Sequence, residues 1–195
     1  MKLFKSRDPN TIHYVTAVTF RRVPIFRSDM ACSLFINTLD ETRSKYPFKL
    51  VGYVVMPDHV HLLLNPQSCD IGDLMRRLKG VSARRILDWL REEGRASSLA
   101  KLRLDNPQRR SHTHAVWLKD FSAVDLWSPK FIRQKLHYIH CNPVRAGLCE
   151  HPANWRWSSY QAYLSHEQGD VPIEMDWRAF WELEAGGHSP PLNGK

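Results

Sequence analysis

Two histidines placed two residues apart could hold one metal ion. They are His59 and His61, in the run YVVMPDHVHLLL over residues 53–64, whose apolar and β-branched residues predict two strands joined at Pro57-Asp58. Side chains at i and i+2 of a strand share one face, roughly 7 Å apart. Both imidazoles can therefore bind one divalent cation from the same side. The alternative is a hydrogen-bonded pair of histidines on a sheet face.

A second run, HYIHCNP over residues 137–143, places a tyrosine and an asparagine four apart in a helical pattern. Tyr138 and Asn142 then lie one helical turn apart on the same face. The amide of Asn142 offers a neutral oxygen to a hard metal, and the phenol of Tyr138 offers a nucleophile beside it. A metal next to a tyrosine indicates phosphoryl transfer through a phosphotyrosine.

The elements that must position these residues follow the order β-α-β-β-α-β, with one further helix. We predict strands at 12–20, 50–56, 59–65 and 114–118, helices at 29–46, 70–93 and 129–146, and a polar, basic loop over 94–113. Met30 and Val81 are expected on the buried sides of the first two helices. This order predicts an α+β, ferredoxin-like fold whose four-stranded antiparallel sheet has helices on one face. The other face would carry the histidines, and the last helix would lay Tyr138 against them.

Composition indicates one domain with a polyanionic partner. The chain has 195 residues and a formal net charge of +8. We divide it into a domain at 1–164 and an acidic, tryptophan-containing tail at 165–195. Between residues 76 and 110 there are eleven Lys or Arg against four acids, which predicts a nucleic-acid contact surface. Its candidate DNA-binding residues are Arg76, Arg77, Lys79, Arg84, Arg85, Arg109 and Arg110.

The four cysteines form no C-x-x-C pair, and no signal peptide or long apolar run accompanies them. They are interpreted as reduced thiols of a cytoplasmic protein, so a disulfide framework, a thiolate zinc site and a membrane span are not expected.

The two motifs resemble those of the HUH endonuclease superfamily, and most closely those of the REP-associated tyrosine transposases, which are single-tyrosine enzymes. The resemblance covers residues 10–164 and rests on MPDHVH, on YIHCNPVRAGL from Tyr138, on LKG over 78–80 and on WSSY over 157–160. It implies that His59, His61 and Asn142 hold Mg²⁺ or Mn²⁺ and that Tyr138 is the catalytic nucleophile. Residues 94–130, which help to choose the DNA, match this branch only loosely.

The resemblance also implies a transposase that cuts and rejoins single-stranded or hairpin DNA through a 5′-phosphotyrosine, without a nucleotide cofactor. A prokaryotic, nucleoid-associated protein is expected, as a monomer in preference to a homodimer. Two alternatives stay open: a regulatory module that binds a DNA or RNA hairpin without cutting it, and a phosphodiesterase that uses water.

Overall fold

A four-stranded antiparallel sheet forms the centre of the protein. The computed structural model describes residues 11–67, 70–105, 112–164 and 175. The strands are β1 (Ile12–Val18), β2 (Lys49–Met56), β3 (His59–Asn65) and β4 (Ser122–Leu126), in the spatial order β2-β3-β1-β4. The helices are α1 (Asp29–Lys45), α2 (Ile71–Glu92), α3 (Ala96–Leu102), α4 (Pro129–Arg145) and α5 (Tyr160–Leu164). This arrangement confirms the predicted α+β, ferredoxin-like fold.

Two hydrophobic cores lie on opposite faces of the sheet, as the alternation of side chains along β3 requires. Val60, Leu62 and Leu64 pack with the buried residues of α1 and α2. Leu63 points the other way and packs with α4, through Ile132, Leu136 and Ile139 among others. The face beneath α4 is the one that carries His59 and His61, because they share the parity of Leu63.

Local sequence signals start helices α2 and α4. The Asp70 carboxylate accepts the N–H of Gly72 at the beginning of α2. The Ser128 hydroxyl accepts the N–H of Phe131 at the beginning of α4, where Pro129 occupies the first turn. Pro143 lies inside α4, yet the helix continues to Arg145, so Tyr138 and Asn142 keep their one-turn spacing.

Three local predictions were wrong. The fourth strand is Ser122–Leu126, whereas residues 114–118 form only isolated bridges, one of them between Trp117 and Thr19. The loop predicted over 94–113 contains α3, although residues 106–111 lie outside the described part. Met30 and Val81 are exposed rather than buried. Trp117 fills the core instead, where its indole donates to Ser82.

The WSSY motif adds a short pairing partner to the edge of the sheet. The N–H of Val55 donates to the carbonyl of Trp157 at 2.8 Å, and the N–H of Ser159 donates to the carbonyl of Tyr53 at 3.0 Å. These bonds protect part of the outer edge of β2 from pairing with another chain. Within the described residues, no helix combines the length and apolar character that a membrane crossing needs.

Close approach of α4 to the sheet depends on Gly52. A Cβ at this position would lie 2.5 Å from Cδ1 of Leu136 and 3.3 Å from Cδ1 of Ile139. Both side chains are buried, so they have little room to move. We predict that Gly52→Ala destabilises the protein by about 1–3 kcal/mol, the usual cost of overpacking, in urea unfolding followed by circular dichroism.

The matched control is Gly80→Ala on α2, where an added Cβ has no atom within 4 Å. Because alanine is the better helix former, this variant should gain about 0.5–1 kcal/mol. Equal effects at the two positions would contradict the packing role of Gly52.

Candidate active site

His59, His61 and Tyr138 lie together on the face of the sheet that α4 covers. The ring centroids of His59 and His61 are 4.8 Å apart, and those of His61 and Tyr138 are 6.0 Å apart. The histidines come from β3 and the tyrosine from α4, nearly eighty residues further along the chain. The fold therefore brings the two sequence motifs into one site.

His59 is oriented by the residue before it. Its Nδ1 lies 2.6 Å from Oδ1 of Asp58, whose other oxygen accepts a hydrogen bond from Arg22 at 2.9 Å. Burial raises the pKa of the Asp58 carboxyl, but the hydrogen bonds from His59 and Arg22 outweigh burial and hold the pKa below its usual value. A carboxylate at Nδ1 fixes the proton there and leaves Nε2 with a lone pair, which is how metal-binding histidines are usually supported.

Backbone conformation brings Arg22 to this position. Arg21 and Arg22 both have positive φ, 53° and 52°, in the 3₁₀ turn that follows β1. Residues other than glycine seldom adopt this conformation. The N–H and hydroxyl of Thr19 both donate to the carbonyl of Asp58, so the turn is held against the β2–β3 hairpin.

His61 is held by two hydroxyl groups of β1. Its Nδ1 lies 2.9 Å from Oγ1 of Thr16 and 3.0 Å from the hydroxyl of Tyr14, whose ring stacks on the imidazole at 5.3 Å. Burial, with smaller effects of His59 and Lys135, lowers the pKa of His61 to about 3. The imidazole is therefore neutral near pH 7, and donation from Nδ1 to either hydroxyl leaves Nε2 able to bind a cation.

Tyr138 combines accessibility with nearby positive charge. The residue is 36% exposed, so part of it is accessible from solvent. Nζ of Lys135 lies 5.5 Å and Cζ of Arg145 lies 5.2 Å from the ring centroid. These cations stand where they can stabilise an anionic phosphate and a phenolate. Sequence analysis did not identify them, although both share the helical face of Tyr138 by their spacing.

Asn142 supplies the test of whether a metal suits this site. Its Nδ2 is buried and, among the described side chains, is the one buried nitrogen or oxygen without a hydrogen-bond partner. A buried amide with an unused end is costly unless a ligand uses it, and rotation of the amide by 180° presents the oxygen instead. In the described part of the chain no three His, Cys, Asp or Glu residues are grouped around a metal position. His59, His61 and an asparagine are compatible with a divalent cation.

The basic residues predicted on α2 lie in the layer on the opposite side of the sheet from Tyr138. Several are occupied within the protein: Arg85 forms two hydrogen bonds to Glu41, Arg77 covers the ring of Tyr46, and Lys79 donates to the carbonyl of Lys119. The other two described residues of this set, Arg76 and Arg84, are exposed, and Arg76 forms an ion pair with Asp73. Arg109, Arg110 and the tail at 165–195, apart from Met175, lie outside the described residues.

Two other histidines and two tryptophans near α4 have structural surroundings. His140 is buried and shares a hydrogen bond with the hydroxyl of Ser159 at 2.8 Å. His137 lies on the exposed side of α4. Trp157 belongs to the core, and Trp155 donates to the carbonyl of Val55.

The sequence is similar to a known family and to a known relative. Residues 9–98 match the family model described as transposase IS200 like. A Haemophilus influenzae protein described as a REP-associated tyrosine transposase is 24% identical over 180 residues, which cover 90% of this chain and 92% of the relative.

Two solved structures are similar. A REP-associated tyrosine transposase bound to a REP hairpin superposes with a TM-score of 0.63 at 17% identity, over 91% of this chain and 93% of the other. A Deinococcus radiodurans transposase gives a TM-score of 0.43 at 23% identity, over 71% and 95% of the two chains. The first of these structures shows the fold. The family match and the Haemophilus influenzae relative confirm the resemblance drawn from the motifs and the enzyme class, a transposase.

Buried neutral histidines make the stability of this protein dependent on pH. Burial, with a smaller effect of His137, lowers the pKa of His140 to about 3, far below the value near 6.5 that it has when unfolded. The unfolded chain therefore takes up a proton at a higher pH than the folded chain. Stability from His140 is complete above about pH 6.5 and is lost as the pH falls toward 3.

We predict that, with chelator present, the free energy of unfolding of wild type decreases steeply between pH 6 and pH 4. His140→Gln retains a polar partner for Ser159 but cannot be protonated. The slope of its unfolding free energy against pH should be shallower by about 1.4 kcal/mol per pH unit, because one fewer proton is taken up on unfolding. Urea titrations at each pH measure this difference, and identical slopes would show that His140 is protonated in the folded protein.

Proposed function

We propose that this protein, a transposase by its similarity to those relatives, is a metal-dependent endonuclease and strand transferase for single-stranded DNA. It would cut and rejoin DNA at hairpin repeats through a 5′-phosphotyrosine on Tyr138. The observation that carries the proposal is the placement of a partly exposed tyrosine beside two histidines whose Nδ1 atoms are hydrogen-bonded, which leaves Nε2 of each for a metal.

His59, His61 and Asn142 would hold Mg²⁺ or Mn²⁺. When bound, the ion supplies Lewis-acid stabilisation of charge on the scissile phosphate. The donor set, two imidazoles and one amide, is softer than a site made of oxygen alone and favours tolerance of Mn²⁺. Asp58 and the hydroxyls of Tyr14 and Thr16 orient the histidines, and this support limits the reorganisation needed when the ion binds.

The chemistry assigned to Tyr138 is an in-line displacement at phosphorus. Its oxygen forms a bond to the phosphorus and loses its proton to solvent, while the bond to the 3′ oxygen breaks and that oxygen takes up a proton. Lys135 and Arg145 lie close enough to the ring to stabilise the developing anion. The phosphodiester linkage is exchanged rather than hydrolysed, so a DNA 3′-hydroxyl can reverse the step and join strands without ATP.

Hairpin DNA is the proposed substrate because a similar structure was solved with a REP hairpin and because the chain is basic. Phosphate contacts on α2 from Arg76, Arg77, Lys79, Arg84 and Arg85, with Arg109 and Arg110, stay part of the proposal. They would bind a second portion of the DNA, since α2 lies in the other layer. We place the activity on chromosomal DNA in a prokaryotic cytoplasm.

The metal proposal predicts direct binding of Mn²⁺ to the free protein. Replacing both His59 and His61 by alanine should lower Mn²⁺ affinity at least roughly tenfold, because two of the three ligands are lost. Electron paramagnetic resonance titration of free Mn²⁺ measures the affinity. His137→Ala, on the exposed side of α4, is the matched control and should bind as wild type does. Unchanged affinity in the double variant would place the metal elsewhere.

The nucleophile is tested by Tyr138→Phe, which removes one oxygen and leaves the ring contacts intact. With a 3′-labelled hairpin oligonucleotide and Mn²⁺, wild type should form an adduct that survives SDS and should leave an extendable 3′-hydroxyl. The phenylalanine variant should bind the hairpin with unchanged affinity and form no adduct.

Tyr46→Phe, in the layer of α1 and α2, is the matched control and should form the adduct normally. Cleavage by the Tyr138 variant would assign the attack to water or to another tyrosine. Hairpin binding by wild type without any cleavage would favour the regulatory module.

A further inference from the structure

We propose that Trp127 and Phe131 form a stacking site for unpaired bases of the DNA strand that reaches Tyr138. This inference rests on the proposed function for its ligand class, single-stranded DNA, and adds a binding site beyond the catalytic groups. The site lies where β4 ends and α4 begins.

The two rings are unusually exposed for side chains of their type. Trp127 is 79% exposed and Phe131 is 42% exposed. Their centroids are 5.8 Å apart, with the rings nearly perpendicular at 78°. A large aromatic side chain left in water forgoes the favourable free energy of burial, so an exposed pair is typical of a surface that another molecule covers.

The backbone under this pair is already ordered. Ser128, between the two rings in sequence, caps α4 through the N–H of Phe131, and Pro129 fixes the first turn. Leu126, the last residue of β4, is buried in the core beneath α4. A ligand that stacks here therefore gains contact area without paying the entropy of folding a loop.

Phe131 continues a line of residues that leads along one face of α4 to the proposed nucleophile. Residues 131, 135, 138 and 145 recur at intervals of four, three and seven, which keeps them on one side of a helix. Lys135 and Arg145 lie against the ring of Tyr138, and Lys135 also lies 4.9 Å from the ring of Tyr14. Aromatic groups and cations alternate along the line.

This combination selects the ligand. Single-stranded nucleic acid presents unpaired bases to aromatic rings and phosphates to cations at the same time, as known single-strand binding surfaces require. Seven helical residues separate Phe131 from Tyr138, a rise of about 10 Å. That span corresponds to roughly three stacked nucleotides at 3.4 Å each. A base stacked on Phe131 or Trp127 would thus hold the strand a few nucleotides from the phosphate at Tyr138.

The test measures binding of a hairpin with a single-stranded extension of six thymidines, by fluorescence anisotropy at fixed salt. The same hairpin without an extension, and one whose extension carries abasic sugars, serve as comparison ligands. Wild type should bind the thymidine extension roughly 5- to 150-fold more tightly than the abasic one, the range known for stacking of one base. The thymidine extension should quench the tryptophan fluorescence of wild type more than that of Trp127→Phe, which retains the other six tryptophans.

Trp127→Ala and Phe131→Ala should each lose most of this preference, whereas their affinity for the hairpin without an extension should stay within about twofold of wild type. Trp127→Phe keeps an aromatic face and should restore most of the preference. Met30→Ala, which removes an exposed apolar side chain from α1 in the other layer, is the matched control and should behave as wild type.

Other outcomes would overturn the inference. Equal binding of thymidine and abasic extensions by wild type, or an unchanged preference in both alanine variants, would show that the rings do not stack on bases. A change in sedimentation coefficient on Trp127→Ala, with unchanged binding of the extensions, would assign the rings to contact with a second copy.

Failure of the proposed function looks different from failure of this inference. If wild-type protein forms a Tyr138 adduct but binds thymidine and abasic extensions equally, only the stacking site is contradicted. Wild-type protein that binds neither hairpin nor extension would remove both.

Discussion

The register between β1 and β3 is the constraint on which the site depends. Thr16 lies opposite His61 and Val18 lies opposite His59, so the hydroxyls that hold His61 come from the neighbouring strand. A slip of one residue would turn both histidines into the core of α1 and α2 and would bring Val60 and Leu62 to the site face. Burial of those apolar side chains opposes the slip, since each fully buried one contributes about 1.5–3 kcal/mol. The hydrophobic pattern of β3 thus positions the candidate metal ligands as a consequence of folding.

Helix α4 contributes Tyr138 and Asn142 to the site, and its buried and exposed sides have different roles. Ile132, Leu136 and Ile139 are buried on the sheet, and this contact anchors the helix above the histidines. The helix approaches the sheet closely because Gly52 has no side chain beneath Leu136. His140 ties the same helix to Ser159, whose N–H is bonded to β2, so the WSSY segment, the sheet and α4 form one connected unit. Anchoring one side of α4 allows the neighbouring side to present Tyr138, Lys135 and Arg145 at the edge of the site.

Much of this arrangement was predictable because it follows from periodicity over long segments. The strands of the β2–β3 hairpin alternate, Asp70 caps α2, and the Ser128-Pro129 signal starts α4, so the fold was predicted. The docking of Tyr138 against His59 and His61 was expected, but periodicity alone does not establish it. The predictions of local structure were wrong where tertiary contacts override the local sequence pattern. Trp117 belongs to a short apolar run that resembles a strand, but its ring packs in the core. The true fourth strand, β4, contains a charged residue, Asp125, which pairs with His13. The helix α3 escaped prediction because neither an N-cap side chain nor an apolar repeat distinguishes it from a basic loop. Among the site's supporting residues, Asp58 was identifiable beside His59, but Tyr14, Thr16 and Arg22 come near only through the β1–β3 register and the 3₁₀ turn after β1.

The distribution of charge has more consequence for function than its total. Although the chain carries a net +8, much of the cationic surface of α2 is paired within the protein, as Arg85 is with Glu41, and exposed pairs of this kind contribute little to stability. Lys135 and Arg145 lie instead against the aromatic rings of the site face. A cation over a ring keeps most of its field directed outward, because the ring compensates its charge only through a quadrupole. These two cations therefore favour the approach of a phosphate to Tyr138, even though the greatest density of basic residues in the sequence lies elsewhere. The nucleophilic role proposed for Tyr138 requires local positive charge of this kind, and a helix with one side buried on the sheet is a rigid support for it.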